Sequence, residues 1–128
     1  MKTVKAYALV GLGTALGSLC RYAVSLAVLA TLGDAFPWGT LLANALGSCL
    51  IGWLAARATY APHGGWARAQ AFWVSGFCAG FTTFSLFSLE LLHLMQSAAW
   101  LALGYTLTSI ALWLLGVALG ERLARPIT

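Results

Sequence analysis

Charge is what this sequence has least of. Only 8% of its 128 residues are Asp, Glu, Lys or Arg, against about a quarter in a soluble domain, so water is excluded as the solvent for most of its surface. Asp34, Glu90 and Glu121 are the only carboxylate side chains, and His63 and His93 the only imidazoles. Neither a Gly-x-Ser-x-Gly segment nor a nucleotide-binding loop accompanies them, and an enzyme is not expected. The cysteines are few: Cys20, Cys49 and Cys78 fall on separate apolar stretches without Cys-x-x-Cys spacing. That pattern argues against a metal knuckle or a disulfide framework and leaves small packing residues. Period-2 alternation is also missing, which excludes a closed barrel and leaves helices to satisfy the backbone in lipid. The net charge of +4 does not indicate nucleic acid, because the basic residues flank apolar stretches where lipid headgroups lie.

What is present is long apolar runs. Ala35 to Ala56, Ala69 to Leu89 and Leu91 to Gly120 carry no charge at all, and each reaches the ~20 residues that cross a hydrocarbon core. A fourth run, Val4 to about Leu32, carries only Arg21 beyond its first turn. Lys2, Lys5 and Cys20 could imitate a lipoprotein signal, but Leu19 stands where cleavage wants a small residue, so this segment is expected to be a helix. The sequence predicts an all-α membrane protein with four transmembrane helices, at about 4–30, 39–60, 68–95 and 97–125, in one domain spanning 1–128. Gly33-Asp34-Ala35-Phe36-Pro37 and Ala61-Pro62-His63-Gly64-Gly65 are its turn signals. Small residues recur four apart, as Gly13 and Gly17, Ser48 and Gly52, Gly76 and Gly80, and Gly116 and Gly120, the spacing that lets helix backbones approach closely in lipid. Glycine, hydroxyl and aromatic residues crowd Gly76 to Ser85, and a break is expected in the middle of helix three.

Polar groups inside a membrane are costly and point to function. They are Arg21, Asn44, Glu90 and His93, with hydroxyls from Thr82 to Ser88 and from Tyr105 to Ser109. Measured from the side carrying both termini, all lie in the middle or far half. A route lined in one half does not cross a bilayer, and a second copy inserted upside down lines the other half. Asn, Ser and Thr offer donors without fixed charge, and ring edges such as those of Phe84 and Phe87 are positive, which suits a small hard anion. The plainer alternative makes Phe84 and Phe87 a core stripe, with hydroxyls bonding back to helix carbonyls.

Pro37-Trp38-Gly39-Thr40-Leu41-Leu42-Ala43-Asn44-Ala45-Leu46-Gly47 and the run from Gly76 through Phe84, Phe87 and Glu90 closely resemble the signature segments of the Fluc/CrcB fluoride channels. Helix one adds Gly-x-Gly-x-x-x-Gly ahead of Arg21-Tyr22, and helix four adds Tyr105 and Ser109. The resemblance implies a passive fluoride channel of the bacterial inner membrane, built as an antiparallel dual-topology dimer with two pores and a structural sodium ion (Na+) at its centre. It implies a fluoride pathway along Asn44, Thr83, Ser85, Phe84, Phe87, Tyr105 and Ser109. It assigns the sodium to the backbone carbonyls of Ala79 and Thr82, and it matches Glu90 to the family's acidic residue. Three positions depart from the pattern: Ala79 stands where Gly is usual, Leu86 where Thr is usual, and Trp113 where another small hydroxyl is common. A break with positive φ at Ala79 would cost roughly 1 kcal/mol or more, and the polar track is expected to be shorter.

Other readings attach to single residues. Arg21 is expected to snorkel to the far interface or to pair with a helix end. Glu90 and His93, three apart, are expected to pair at the far interface rather than relay protons. The tryptophans Trp38, Trp66 and Trp100 fit interfacial belts. Lys2, Lys5, Arg57, Arg68, Arg122 and Arg125 all fall on the near side, a bias that places both termini in the cytoplasm. A homodimer of opposed copies is favoured, and a partner chain of opposite bias remains open. Small multidrug exporters also use four helices and opposed dimers, but they resemble each other in a buried glutamate on helix one, where Arg21 stands here. A purely structural membrane protein accounts for the packing glycines but not for Asn44.

Overall fold

A computed structural model describes residues 2–125; Met1, the side chain of Lys2, and residues 126–128 of the expected domain lie outside the described residues. The first helix, α1, is Lys2–Leu32, at about 1.5 Å per residue long enough to cross a bilayer with turns to spare. Gly33 ends it with φ of 75°, donating its N–H to the Leu29 carbonyl at 3.0 Å. That left-handed cap is one a side chain would strain. Pro37 then precedes α2, Trp38–Tyr60. A single helical turn, Gly65–Arg68, stands apart from the third span because Ala69 leaves helical geometry (φ −93°, ψ 6°).

The third span, Gln70–Ser97, is in two pieces. Its first piece, α3, covers residues 70–81: an α-helical Gln70–Phe72, a π-helical Trp73–Cys78 and an α-helical Ala79–Phe81. The second, α4, is Phe84–Ser97. Between them Thr82 (φ −86°, ψ 158°) and Thr83 (φ −150°, ψ 124°) are extended, so the expected break is present. It costs Ala79 nothing. Ala79 is helical (φ −63°, ψ −36°), and no residue but Gly33 has positive φ among the described residues. The strain expected there is therefore corrected: extended backbone makes the break, and any residue adopts it. Ala98 alone reverses the chain into α5, Ala99–Ala124.

Four spans are long and apolar enough to cross a membrane. Their outer faces carry Leu12, Leu103, Leu107 and Leu114 exposed, as a lipid-facing surface requires. Within the bundle α1 packs on α3 and α2 on α5, and glycine decides how closely. A β-carbon on Gly17 would sit 2.1 Å from the Phe77 carbonyl oxygen, and one on Gly120 would sit 2.0 Å from that of Cys49. Backbone meets backbone at these points, the arrangement that four-residue spacing of small residues permits. The far ends of α1, α2 and α4 surround one cavity, whereas the near ends of α2 and α5 meet around Gly52, Tyr60 and Glu121.

Candidate functional site

Asn44 lies on α2 with 5% of its surface exposed, and it spans the break in the third helix. Its Nδ2 donates to the Thr83 carbonyl at 2.8 Å, and its Oδ1 accepts the Thr83 N–H at 2.7 Å. One side-chain amide thereby replaces what a continuous helix would have supplied to that peptide unit. The consequence falls four residues back, because the Thr83 N–H no longer reaches the carbonyl of Ala79. Thr83 also caps α4: its Oγ1 accepts the Leu86 N–H at 3.2 Å, and this withdraws the donor that the Thr82 carbonyl would have had. Among the described residues no hydrogen bond reaches the carbonyls of Ala79, Phe81 or Thr82. The Gly80 carbonyl is the exception, accepting from Ser18 Oγ and Arg21 Nε, both at 3.3 Å. Arg21 thus pairs with a helix end, one of its two expected roles.

The break also opens the N-terminus of α4, where Phe84 and Ser85 have their N–H groups at the positive end of the helix dipole. Beside it is a cavity of about 190 Å³ lined by Asn44, Ser48, Ile51, Thr82, Thr83, Phe84 and Trp113. The two phenylalanines share this region but not an environment: Phe84 is 68% exposed and Phe87 only 4%. Their rings are 5.6 Å apart, and Phe87 lies 5.0 Å from Tyr105 and 5.1 Å from Trp113. A core stripe therefore accounts for Phe87 and not for Phe84. On α5, Ser109 Oγ and Trp113 Nε1 are sealed from solvent and have no hydrogen-bond partner among the described residues, each a cost of about 1–3 kcal/mol unless a partner arrives.

Towards the far end Glu90 accepts from Thr40 Oγ1 at 2.7 Å and from Tyr105 Oη at 2.8 Å. The expected pairing of Glu90 with His93 is corrected by these bonds: the carboxylate turns into the bundle to join α2 and α5, while His93 is exposed and lines the outer cavity of about 360 Å³ with Asp34 and Glu90. Several hydroxyls bond back along their own helices, as the plainer reading expects. Ser48 donates to the Asn44 carbonyl, Ser88 to that of Phe84 and Thr106 to that of Ala102. Ser85 is exposed, with its Oγ 3.2 Å from that of Thr83.

The break accordingly gathers Asn44, Thr83, Ser85 and Phe84, and α5 brings Tyr105 and Trp113 against Phe87 while Ser109 is buried on the same helix. Ala79 and Thr82 contribute backbone there. Sequence reasoning missed Thr40, which is 3% exposed and holds Glu90. The signal was available: Thr40, Asn44 and Ser48 recur four apart and so share one face of α2. Trp113, which the sequence marked only as a departure from the family pattern, lines the groove beside the break.

Comparison with known proteins adds the family. A family model described as "CrcB-like protein, Camphor Resistance (CrcB)" matches residues 8–121. The chain is 48% identical over 122 residues to a protein of Magnetococcus marinus named fluoride-specific ion channel FluC, covering 92% of this chain and 96% of the relative. Proteins with the same name in a strain of Thermus thermophilus and in Paramagnetospirillum magneticum are 46% and 42% identical, covering 94% and 90% of this chain and 94% and 91% of theirs.

Proposed function

We propose that this chain, which belongs to the CrcB-like protein family, is a passive fluoride-selective channel of a bacterial inner membrane, not an enzyme. It is a multi-pass protein whose four spans provide the helices, and fluoride is the ion named in its relatives. The observation that carries the mechanism is the pair of bonds from Asn44 to Thr83. They hold the third helix open in mid-membrane, where a polar break persists only if it lines a cavity or is covered by protein.

Fluoride gives up its water at that break. The N–H groups that open α4, the Thr83 hydroxyl and the Phe84 ring edge stand at the groove, with the Ser85 hydroxyl 3.2 Å from that of Thr83, and N–H, O–H and ring edge offer positive ends to an anion. Asn44 acts as the clamp, since both ends of its amide are engaged by Thr83. Beyond it the path runs past Phe87 to the unpartnered Ser109 hydroxyl and to Tyr105, whose own O–H is held by Glu90. Donors without fixed charge let the ion leave again, which conduction requires.

The polar lining stays in the middle and far half of the bundle, and this supports a second copy in opposite orientation, giving two pores per antiparallel dimer. A sodium ion at the dimer centre fits the chain's own donors. Hard cations take oxygen ligands, and the carbonyls of Ala79 and Thr82 have lost their helical donors to Asn44 and Thr83. Those two carbonyls would hold it, and the ion would supply fixed positive charge binding the copies together. The near-side basic residues bias insertion one way, so tags on either terminus should be detected on both sides of the membrane for a homodimer; labelling of one side alone rejects it.

The decisive test is efflux from proteoliposomes. Fluoride should leave rapidly and chloride should not, with Asn44→Asp and Phe84→Ile each cutting fluoride flux about tenfold or more, the equivalent of one lost hydrogen bond or ring contact in the barrier. Equal chloride flux, or proton-driven cation uptake, would reject the assignment.

A further inference from the structure

The Trp113 indole is a buried donor to which that pathway gives no role. Trp113 Nε1 is out of reach of solvent and has no hydrogen-bond partner, although folded chains pair nearly all such groups. An indole N–H can only donate, so what satisfies it must bring lone pairs. Among the described residues no carbonyl, carboxylate or hydroxyl reaches it. Trp113 nevertheless lines the groove that holds Asn44, Thr83 and Phe84.

A second orphan stands one helical turn away. Ser109 is 1% exposed, its Oγ is equally unpartnered, and residues four apart on a helix share a face. Two aromatic rings pack against the indole of this pair. Phe87 meets the indole edge-on at 5.1 Å and 70°, and Phe84 meets it at 6.4 Å and 62°. Two unsatisfied donors and ring edges in a place without water make a binding site for a small dehydrated anion.

We propose that the Trp113 indole N–H is a fluoride-binding donor, forming with the Ser109 hydroxyl a two-donor site behind Phe84 and Phe87. This rests on the channel reading above. Of the two rings Phe84 is the exposed one, at 68% against 4% for Phe87, and its displacement joins the groove to the site. Trp113 is then part of the conducting machinery rather than an obstruction in it, and the polar track runs a full turn beyond Ser109.

Two measurements test this. In spectra of the full ¹⁵N-labelled chain in detergent, the Trp113 indole resonance is one of six; it is assigned by its absence in Trp113→Phe and, independently of any variant, by cross-relaxation with the Phe87 ring. Sodium fluoride should move it downfield while equal sodium chloride leaves it in place. In proteoliposomes Trp113→Phe, which keeps a ring and loses the donor, should lose fluoride flux about tenfold. Trp113→Ser, which restores a donor at the cost of packing, should recover part of that loss and conduct faster than Trp113→Phe. A purely structural indole gives the reverse order. A resonance unmoved by fluoride in a chain that conducts it, or Trp113→Phe conducting normally, overturns the proposal and leaves the channel reading intact. An unmodified chain that passes no fluoride removes both.

Discussion

The half of the bundle near the termini and the half around the break are held together by different physics. Near the termini, α1 meets α3 and α2 meets α5 backbone to backbone, through Gly13, Gly52 and Gly120, and the α1–α3 contact runs on through Gly17 and Gly80 to the edge of the break. Around the break, side chains do the joining: Asn44 to Thr83, Thr40 and Tyr105 to Glu90, and Arg21 and Ser18 to Gly80. In lipid there is no hydrophobic gain from bringing two apolar helices together, so close packing is the tool for scaffold. Hydrogen bonds are placed where backbone has been released from the helix, and that is where an ion can be met. Side-chain hydrogen bonds between helices are thus concentrated at the break and the far half, while glycine packing runs from the near ends up to it.

The division between the halves is most vulnerable at Gly120. Valine there must displace the Cys49 carbonyl and the Trp53 N–H, a backbone overlap expected to cost about 3 kcal/mol or more. Monodisperse protein should disappear from size-exclusion profiles in detergent. Gly104→Ala, with nothing within 4 Å of the new carbon, should leave them unchanged to within about 0.5 kcal/mol. Asn44→Ala comes next. It orphans both polar groups of Thr83 for about 1–3 kcal/mol, so fluoride flux should collapse while the glycine-packed half keeps the chain folded. Coincident loss of fold and flux would show that the halves are not separable.

Glu90→Gln probes the far half at smaller scale. The amide can still meet both hydroxyls, accepting from one and donating to the other, so thermal unfolding should report a loss of about 1 kcal/mol. Ser88→Ala should be smallest, at about 0.5 kcal/mol or less, because its hydroxyl is exposed and bonds only to the Phe84 carbonyl of its own helix. A large effect there would extend the functional half to a face assigned to helix back-bonding.

Composition alone made four membrane helices nearly unavoidable, because a chain with so few charges and such long apolar runs has no other way to satisfy its backbone in lipid. The spacing of small residues announced close helix contacts, and the cluster from Gly76 to Ser85 announced a break, since glycine and hydroxyls in mid-span weaken a helix locally. Asn44 was legible as a residue with partners for a similar reason: an amide is too costly in that place to be left unbonded, and it holds Thr83. Partners were not legible. Glu90 has His93 at helical spacing in the sequence, yet its oxygens go to Thr40 and Tyr105, fifty and fifteen residues away in the chain. Nor did spacing distinguish Phe84 from Phe87, three residues apart and oppositely exposed.

By itself the amino-acid order determined the solvent, the number of crossings, the place of the break and the side of the membrane that gathers basic charge, because each follows from local composition and helical period. Only the tertiary structure decided that the break is an extended Thr82–Thr83 clamped by Asn44, that Ala79 bears no strain, and that Ser109 and Trp113 face inward without partners. Those are statements about which donor meets which acceptor across different helices. Such pairing is set by the crossing of α2, α4 and α5, a geometry that no single stretch of sequence contains.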